Sequence, residues 1–235
     1  MTSYIEDKDQ LERSVICNEY LTCNGKWNLI NMIKYILATY WNVDIKYEES
    51  KEIPWDAIFH PEYDGYFTSL DKYLKWKRFN GKGIVGLVSA RSYWINDDID
   101  IEKRIINIIE KKGYDVIPIY TYYNKARSGG EVGHSEAIRK FFFNKNGEGV
   151  VDAVIKLISF GLIESNYNYS NENNEDNILS KLNCPIFKPI ISSNMTIKEW
   201  KNDCSGSAKD VQWSVSMPEM EGKIEPIFIG SIEAI

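Results

Sequence analysis

The residues best placed to do chemistry stand where an apolar run ends: Ser89, Ala90, Arg91, Ser92, Tyr93 and Trp94 follow Ile84, Val85, Gly86, Leu87 and Val88. A guanidinium held at a strand exit can take a carboxylate or a phosphate through parallel N–H bonds. It can equally brace its own loop through a salt bridge, and the sequence leaves both roles open for Arg91. A later apolar run, Val151 to Ile158, leads into Ser159, Phe160 and Gly161 in the same way. In open parallel sheets, ligands bind beyond the carboxyl ends of the strands. Ligand contacts are therefore expected from Arg91, Ser92, Tyr93 and Trp94 after the first strand, and from Ser159, Phe160 and Gly161 after the third.

Other reactive side chains are few. His60 lies in FHPEYDGY, where it reads as a satisfied structural histidine rather than a ligand, and His134 opens a helix after a glycine loop, as a solvent-exposed residue would. Cys17, Cys23, Cys184 and Cys204 form no CxxC pair, so separate reduced thiols are expected and not a zinc site. Glu219 and Glu221, in MPEMEGKIEP, offer carboxylates, but the proline and glycine around them read first as a turn. Gly81, Gly83 and Gly86 precede or sit within the strand and make no GxGxxG fingerprint. No GxxxxGK[ST] loop, GxSxG elbow or HExxH pair occurs.

The elements that must hold these turns are legible from apolar spacing. Expected strands are Ile84–Ser89, Asp115–Tyr120, Val151–Ser159, Pro185–Ile191 and Lys223–Ile229; in the first, Ile84, Val85, Leu87 and Val88 form a short uncharged run of the kind buried on both sheet faces. Helices fit between them at Ile99–Lys112, His134–Phe143, Glu175–Leu182 and Ala208–Ser214. In the first, Asp97, Asp98 and Asp100 suit the positive end of the helix dipole, and Ile101, Ile105, Ile108 and Ile109 form one stripe expected to face the sheet. The pattern predicts an α/β fold, a mostly parallel sheet flanked by helices, Rossmann-like or flavodoxin-like. Residues 1–80 are expected to form a small helical layer and connector, with two helices in Leu11–Tyr40 and a short one over Ser69–Lys77; residues 81–235 form the α/β domain. The polar stretches 124–133 and 166–176 follow strands and read as solvated loops.

Charge narrows the partners. With 28 basic and 34 acidic residues the net charge is −6, which argues against a general nucleic-acid binder. The acidic, polar start MTSYIEDKDQLERS is unlike a secretory signal, and no apolar run reaches the length of a membrane span. A cytoplasmic protein is expected. The frequent asparagines suggest nucleotide bias, and no function is read from them.

Six segments, in order, resemble the large-subunit family of cobaltochelatase (CobN) and magnesium chelatase (its H subunit). They are CNGKWNLINMIKYIL (Cys23–Leu37), DAIFHPEYDGYFTSLDKYLKW (Asp56–Trp76), GIVGLVSARSYW (Gly83–Trp94), VDAVIKLISFGL (Val151–Leu162), LNCPIFKPIISSNMTIKEW (Leu182–Trp200) and VSMPEMEGKIEPIFIGSIE (Val215–Glu233). The resemblance covers about residues 17 to 233 and corresponds to an amino-terminal portion of the family's much longer chains. Within it, Tyr93 stands where the family usually has His, removing a neutral ligand or proton acceptor from that turn, and Glu221 where it usually has Asp.

The resemblance implies ATP-dependent insertion of Co2+ or Mg2+ into a tetrapyrrole. In that family the macrocycle is held by the large subunit, while ATP is hydrolysed by AAA+ ATPase partners. This chain is then expected to carry no cofactor and to help form the tetrapyrrole cleft without inserting metal alone. Its aromatic side chains would face the flat macrocycle, and Arg91 would meet the carboxylate arms. The alternative is a non-enzymatic α/β module that keeps the fold for a small ligand or a partner protein.

Overall fold

In the computed structural model the described residues are 8–122, 133–158, 178–192, 195–203 and 227–231, with Ser216 and Glu219. They divide into two compact units, Met1–Pro54 with Ser92–Asp98, and Trp55–Arg91 with Ile99–Ile235.

In the first unit, α1 (Lys8–Cys23) and α2 (Gly25–Tyr40) meet at Asn24. Asn24 and Gly25 both take positive φ, 58° and 84°, and the Asn24 side chain accepts the Gly25 N–H at 2.6 Å. A Cβ on Gly25 would lie 3.1 Å from both Ile95 Cβ and Ile95 O, so the turn needs glycine for space as well as for conformation. Asn28 and Asn31 are buried on α2, where they act as substitute strand partners for the extended chain at 48–51. Asn28 accepts the Lys51 N–H at 2.9 Å and donates to Lys51 O at 3.0 Å, and Asn31 accepts the Glu48 N–H at 3.0 Å. Tyr20 donates its hydroxyl to Glu48 O from α1. Buried amides thus satisfy backbone that no sheet reaches. These asparagines have a structural use that composition did not suggest.

The second unit is built on a sheet with strand order β1-β3-β2-β4-β5. Its strands are β1 (Ala57–Ile58), β2 (Ile84–Ala90), β3 (Asp115–Thr121), β4 (Ala153–Lys156) and β5 (Ile186–Phe187). β2 pairs in parallel with β3 from Ile84↔Asp115 to Ala90↔Thr121, and with β4 from Val85↔Ala153 to Val88↔Lys156. β4 pairs in parallel with β5, and β1 closes the other edge antiparallel to β3, Ala57↔Tyr120. Central position explains the uncharged run in β2, since both its edges are hydrogen-bonded and both its faces are covered.

Helices α3 (Leu70–Lys77), α4 (Arg91–Ile95), α5 (Asp100–Lys111), α6 (His134–Phe142), α7 (Ile178–Leu182) and α8 (Ile197–Asn202) follow in chain order. Side chains alternate across β2, so Gly86 and Ser89 point to opposite faces. A Cβ on Gly86 would come within 2.6 Å of the Phe142 ring of α6, and Ser89 donates its hydroxyl to Glu102 of α5. Helices therefore cover both faces. The main core gathers Ile58, Tyr73, Val88, Ile117, Ile119, Ile138, Phe141, Phe142 and Val154.

Several expectations need correction. The compact unit that holds the sheet takes in the connector from Trp55, which supplies β1, and α3, which supplies Tyr73 to the core. The turn expected at residues 89–94 is the last two residues of β2 followed by α4. Val151–Ser159 shortens to β4. Pro185–Ile191 breaks at Lys188–Pro189, where proline has no N–H to continue a ladder. Beyond the break, β6 (Ile190–Ser192) pairs in parallel with β7 (Phe228–Ser231) in a separate two-stranded sheet. The expected helix 208–214 lies outside the described residues, as do the stretches 124–132 and 166–176. On α5 the stripe is rotated: Glu102 and Ile106 are buried, while Ile108 is 59% exposed.

The close approach of Gly86 to Phe142 gives a test of this architecture. Gly86→Ala should destabilise the protein by about 1–3 kcal/mol, the scale of overpacking a filled core. Denaturant unfolding should show a lower midpoint with unchanged slope, and Phe142→Leu in the same chain should recover part of the loss.

Candidate functional site at the carboxyl edge of the sheet

Buried charge is costly unless it is paired or hydrogen-bonded. In this unit much of it collects at one edge. Arg91, Lys156 and Lys188 are at most 7% exposed, and Glu102 is 3% exposed. All four sit at or beside the carboxyl ends of β2, β4 and β5. Arg91 follows the last residue of β2, and Lys156 ends β4 opposite Val88. Lys188 follows β5 and turns its ammonium onto the Pro189 carbonyl at 3.1 Å and the Leu157 carbonyl at 3.4 Å, just past β4. Glu102, in the first turn of α5, accepts the Ser89 hydroxyl one residue before β2 ends.

β1 brings a second group to the same edge. Because it runs antiparallel, its start lies beside the end of β3. This puts Trp55 and Asp56 next to Thr121 and Tyr122. The Arg91 guanidinium carbon lies over the Trp55 ring, 4.4 Å from its centroid, and Trp55 meets Tyr122 edge-on at 5.5 Å. Asp56 is buried and takes Lys140 of α6 at 2.7 Å. Such a cation–π contact is worth more as water is excluded. The edge can thus offer a cation held against an indole, partly exposed aromatic surface and further cations behind it.

Of the residues expected in the binding turns, Arg91 is at this edge. Ser92, Tyr93 and Trp94 continue α4 from Arg91. Ser159, Phe160 and Gly161 lie outside the described residues. The structure adds Trp55, against Arg91, and Tyr122, against Trp55. Sequence reading missed both because their nearness depends on the antiparallel pairing of a two-residue strand. Glu102 was missed because a carboxylate inside an isoleucine-rich helix reads as part of the solvated face.

His60 sits at the opposite end of the sheet. Its Nε2–H donates to Glu110 at 3.1 Å and its Nδ1 accepts the Glu62 N–H at 3.2 Å, the pattern of a neutral ring. Lys77 bridges the same carboxylates, at 2.8 Å from Glu110 and 3.0 Å from Glu62. Both ring nitrogens are occupied, so this histidine ties the connector to α5 and α3. Among the described residues, no three His, Cys, Asp or Glu side chains gather as a metal site, and no helix is long and apolar enough to cross a membrane.

The CobN/magnesium chelatase family model matches residues 18–234. The chain belongs to that family. An uncharacterised protein of Methanocaldococcus jannaschii is 33% identical over 225 residues, which cover 94% of this chain and 17% of that protein. The magnesium-chelatase H subunit of Chlorobaculum parvum is 22% identical over 88% of this chain and 16% of its own length. The catalytic subunit of cobaltochelatase from Mycobacterium tuberculosis has the same fold, with a TM-score of 0.64 at 15% identity, over 91% of this chain and 16% of that one. This chain therefore spans about a sixth of the length of the relatives it matches.

The His60 pair gives a pH test. Burial, and then the Lys77 charge, push the His60 pKa below its usual 6.5. Below that pH the unfolded chain takes up a proton that the native ring resists, so stability falls as pH drops through 6.5 toward the native value. Urea midpoints should fall between pH 7.5 and about 5.5, above the range where carboxylates titrate. His60→Gln should show a smaller fall; an equal one would assign the loss to other groups.

Proposed function

We propose that this chain forms part of the tetrapyrrole-holding cleft of a CobN/magnesium-chelatase-type large subunit and is not catalytic alone. The observation that carries this reading is the carboxyl edge of the sheet, in a chain of this family. Among the described residues, the buried charges there are the cations Arg91, Lys156 and Lys188 and the carboxylates Asp56 and Glu102, although the whole chain is acidic, at −6. A tetrapyrrole with acidic arms presents a flat apolar ring and several carboxylates. Trp55 and Tyr122 suit the ring, and Arg91 suits a carboxylate as a planar fork.

The edge also lies where a ligand is expected. β2 is the neighbour of both β3 and β4: the chain steps from β2 to β3 on one side and then crosses back past β2 to β4 on the other. Such a reversal opens a crevice between the strand ends. Ser159, Phe160 and Gly161 follow β4 in sequence and remain proposed contacts on that side.

Metal insertion, whether of Co2+ or Mg2+, is then a property of the assembled chelatase, with ATP hydrolysed by AAA+ partners. This chain's part is to hold and orient the macrocycle. The same reading places it in the cytoplasm.

Porphyrin fluorescence titration tests the proposal. Arg91→Ala should weaken binding by about 1.5–3 kcal/mol, the scale of a lost hydrogen bond to a charged group, with helix content unchanged by circular dichroism. Unfolding with no selective effect on binding would make Arg91 a structural brace. The purified chain should also release no phosphate from ATP and form no metalloporphyrin. Turnover with free tetrapyrrole and a divalent cation would overturn the non-catalytic reading.

A further inference from the structure

Helix α2 reverses the usual division between inside and outside. Its buried positions hold Gly25, Asn28, Asn31 and Tyr35, and the two amides there are committed to the backbone at 48–51. Its outward side is apolar instead: Ile30, Ile33 and Trp41 are 42%, 54% and 66% exposed, and Tyr40 is exposed beside them. Lys26, Ile30, Ile33, Leu37 and Tyr40 follow one another at steps of 4, 3, 4 and 3 residues. That alternation is the seam spacing of paired helices, which keeps one row of side chains facing a partner helix. Apolar residues exposed singly need no explanation, but a continuous row in helical register does.

The row complements itself when two copies run in opposite directions. α2 contains no acidic residue, so an apolar row in a chain of net charge −6 is where two copies meet with least repulsion. Its charged residues are Lys26, at the start of the row, and Lys34, beside the row, whose stem can cover apolar surface while its ammonium stays in water. Lys26 is held by Asp97 at 2.8 Å, and both are half-exposed. The other end of the row offers rings: Tyr40 and Trp41 lie 6.3 Å apart, and the Arg13 guanidinium carbon is 5.0 Å from the Tyr40 centroid. Antiparallel copies bring Lys26 of each to the exposed Trp41 ring of the other, a favourable cation–π pairing. Parallel copies would set Lys26 against Lys26.

We infer that the outward face of α2 is a homodimer interface, in which α2 packs antiparallel on α2 of a second copy. The inference draws on α2 and its neighbours alone and does not depend on the tetrapyrrole reading. With 16 residues, α2 is about 24 Å long. A helix pair of that length buries on the order of 1,000 Å2 in total, the low end of specific interfaces, so the dimer is a weak one. Trp41 is its expected anchor, since tryptophan contributes more than its share of interface energy.

Sedimentation equilibrium of the 235-residue chain tests this, over about 5–500 µM, the range that suits a small interface. Wild type should fit a monomer–dimer equilibrium. Ile33→Asn and Trp41→Ala should each weaken the dimer by at least about tenfold, with circular dichroism unchanged. Lys26→Gln should weaken it by about fivefold. Ile108→Asn, on α5, removes an equally exposed isoleucine and should leave the dimer within about twofold of wild type.

A wild type that stays monomeric throughout would overturn the inference and leave the face to a different protein. Assemblies larger than a dimer, or equal weakening by Ile108→Asn, would reduce it to general stickiness and overturn it too. A dimer that survives both Ile33→Asn and Trp41→Ala would place the interface elsewhere; if one of these variants does not fold, the other decides. An unchanged dimer in Lys26→Gln would overturn the antiparallel pairing.

Discussion

The arrangement of the sheet unit depends on β2 being hydrogen-bonded along both edges at once, in parallel, to β3 and to β4. A strand in that position meets no water on either edge and is covered on both faces, so it tolerates only apolar or small side chains. Gly86 shows how tight the constraint is, since α6 brings the Phe142 ring into the space a Cβ would occupy. With β2 held in register over seven residues, the point where it leaves the sheet is set as well. Arg91 follows at that exit, and the ends of β3 and β4 come to it on either side.

Polar groups are divided between the two ends of the sheet. At the amino end, His60, Glu62, Lys77 and Glu110 satisfy one another, and the network joins the connector, α3 and α5. At the carboxyl end the buried groups are mostly cationic and come from strand exits: Arg91, Lys156 and Lys188. Glu102, on Ser89, and Asp56, on Lys140, contribute the carboxylates there. Ion networks that join several elements serve stability.

The first unit solves a different problem. Two helices and an extended stretch have no sheet to satisfy the backbone at 48–51, and side-chain amides on α2 do so instead. Asn28 and Asn31 lie three residues apart, close to one helical turn, which puts both on the face of α2 that meets this stretch. Ile95 reaches the same unit and leaves no room for a side chain at Gly25. The segment reading NGKWNLIN thus encodes a tight joint followed by two backbone clamps.

By itself the sequence determined the parallel α/β character, the positions of β2, β3, α5 and α6, the family, and the placing of Arg91 at a strand exit. These follow from local patterns: uncharged apolar runs, helical spacing, and motif order along the chain. It also held a signal that went unread, the Thr196–Glu199 capping box that starts α8. Only the tertiary structure decided the rest. The antiparallel pairing of β1, too short to show a pattern, set Trp55 and Tyr122 beside Arg91. The rotation of α5 buried Glu102 and exposed Ile108, because its neighbours, not its isoleucines alone, set which face turns inward. In each case contacts between residues distant in sequence overrode a local pattern, and no spacing along the chain encodes such contacts.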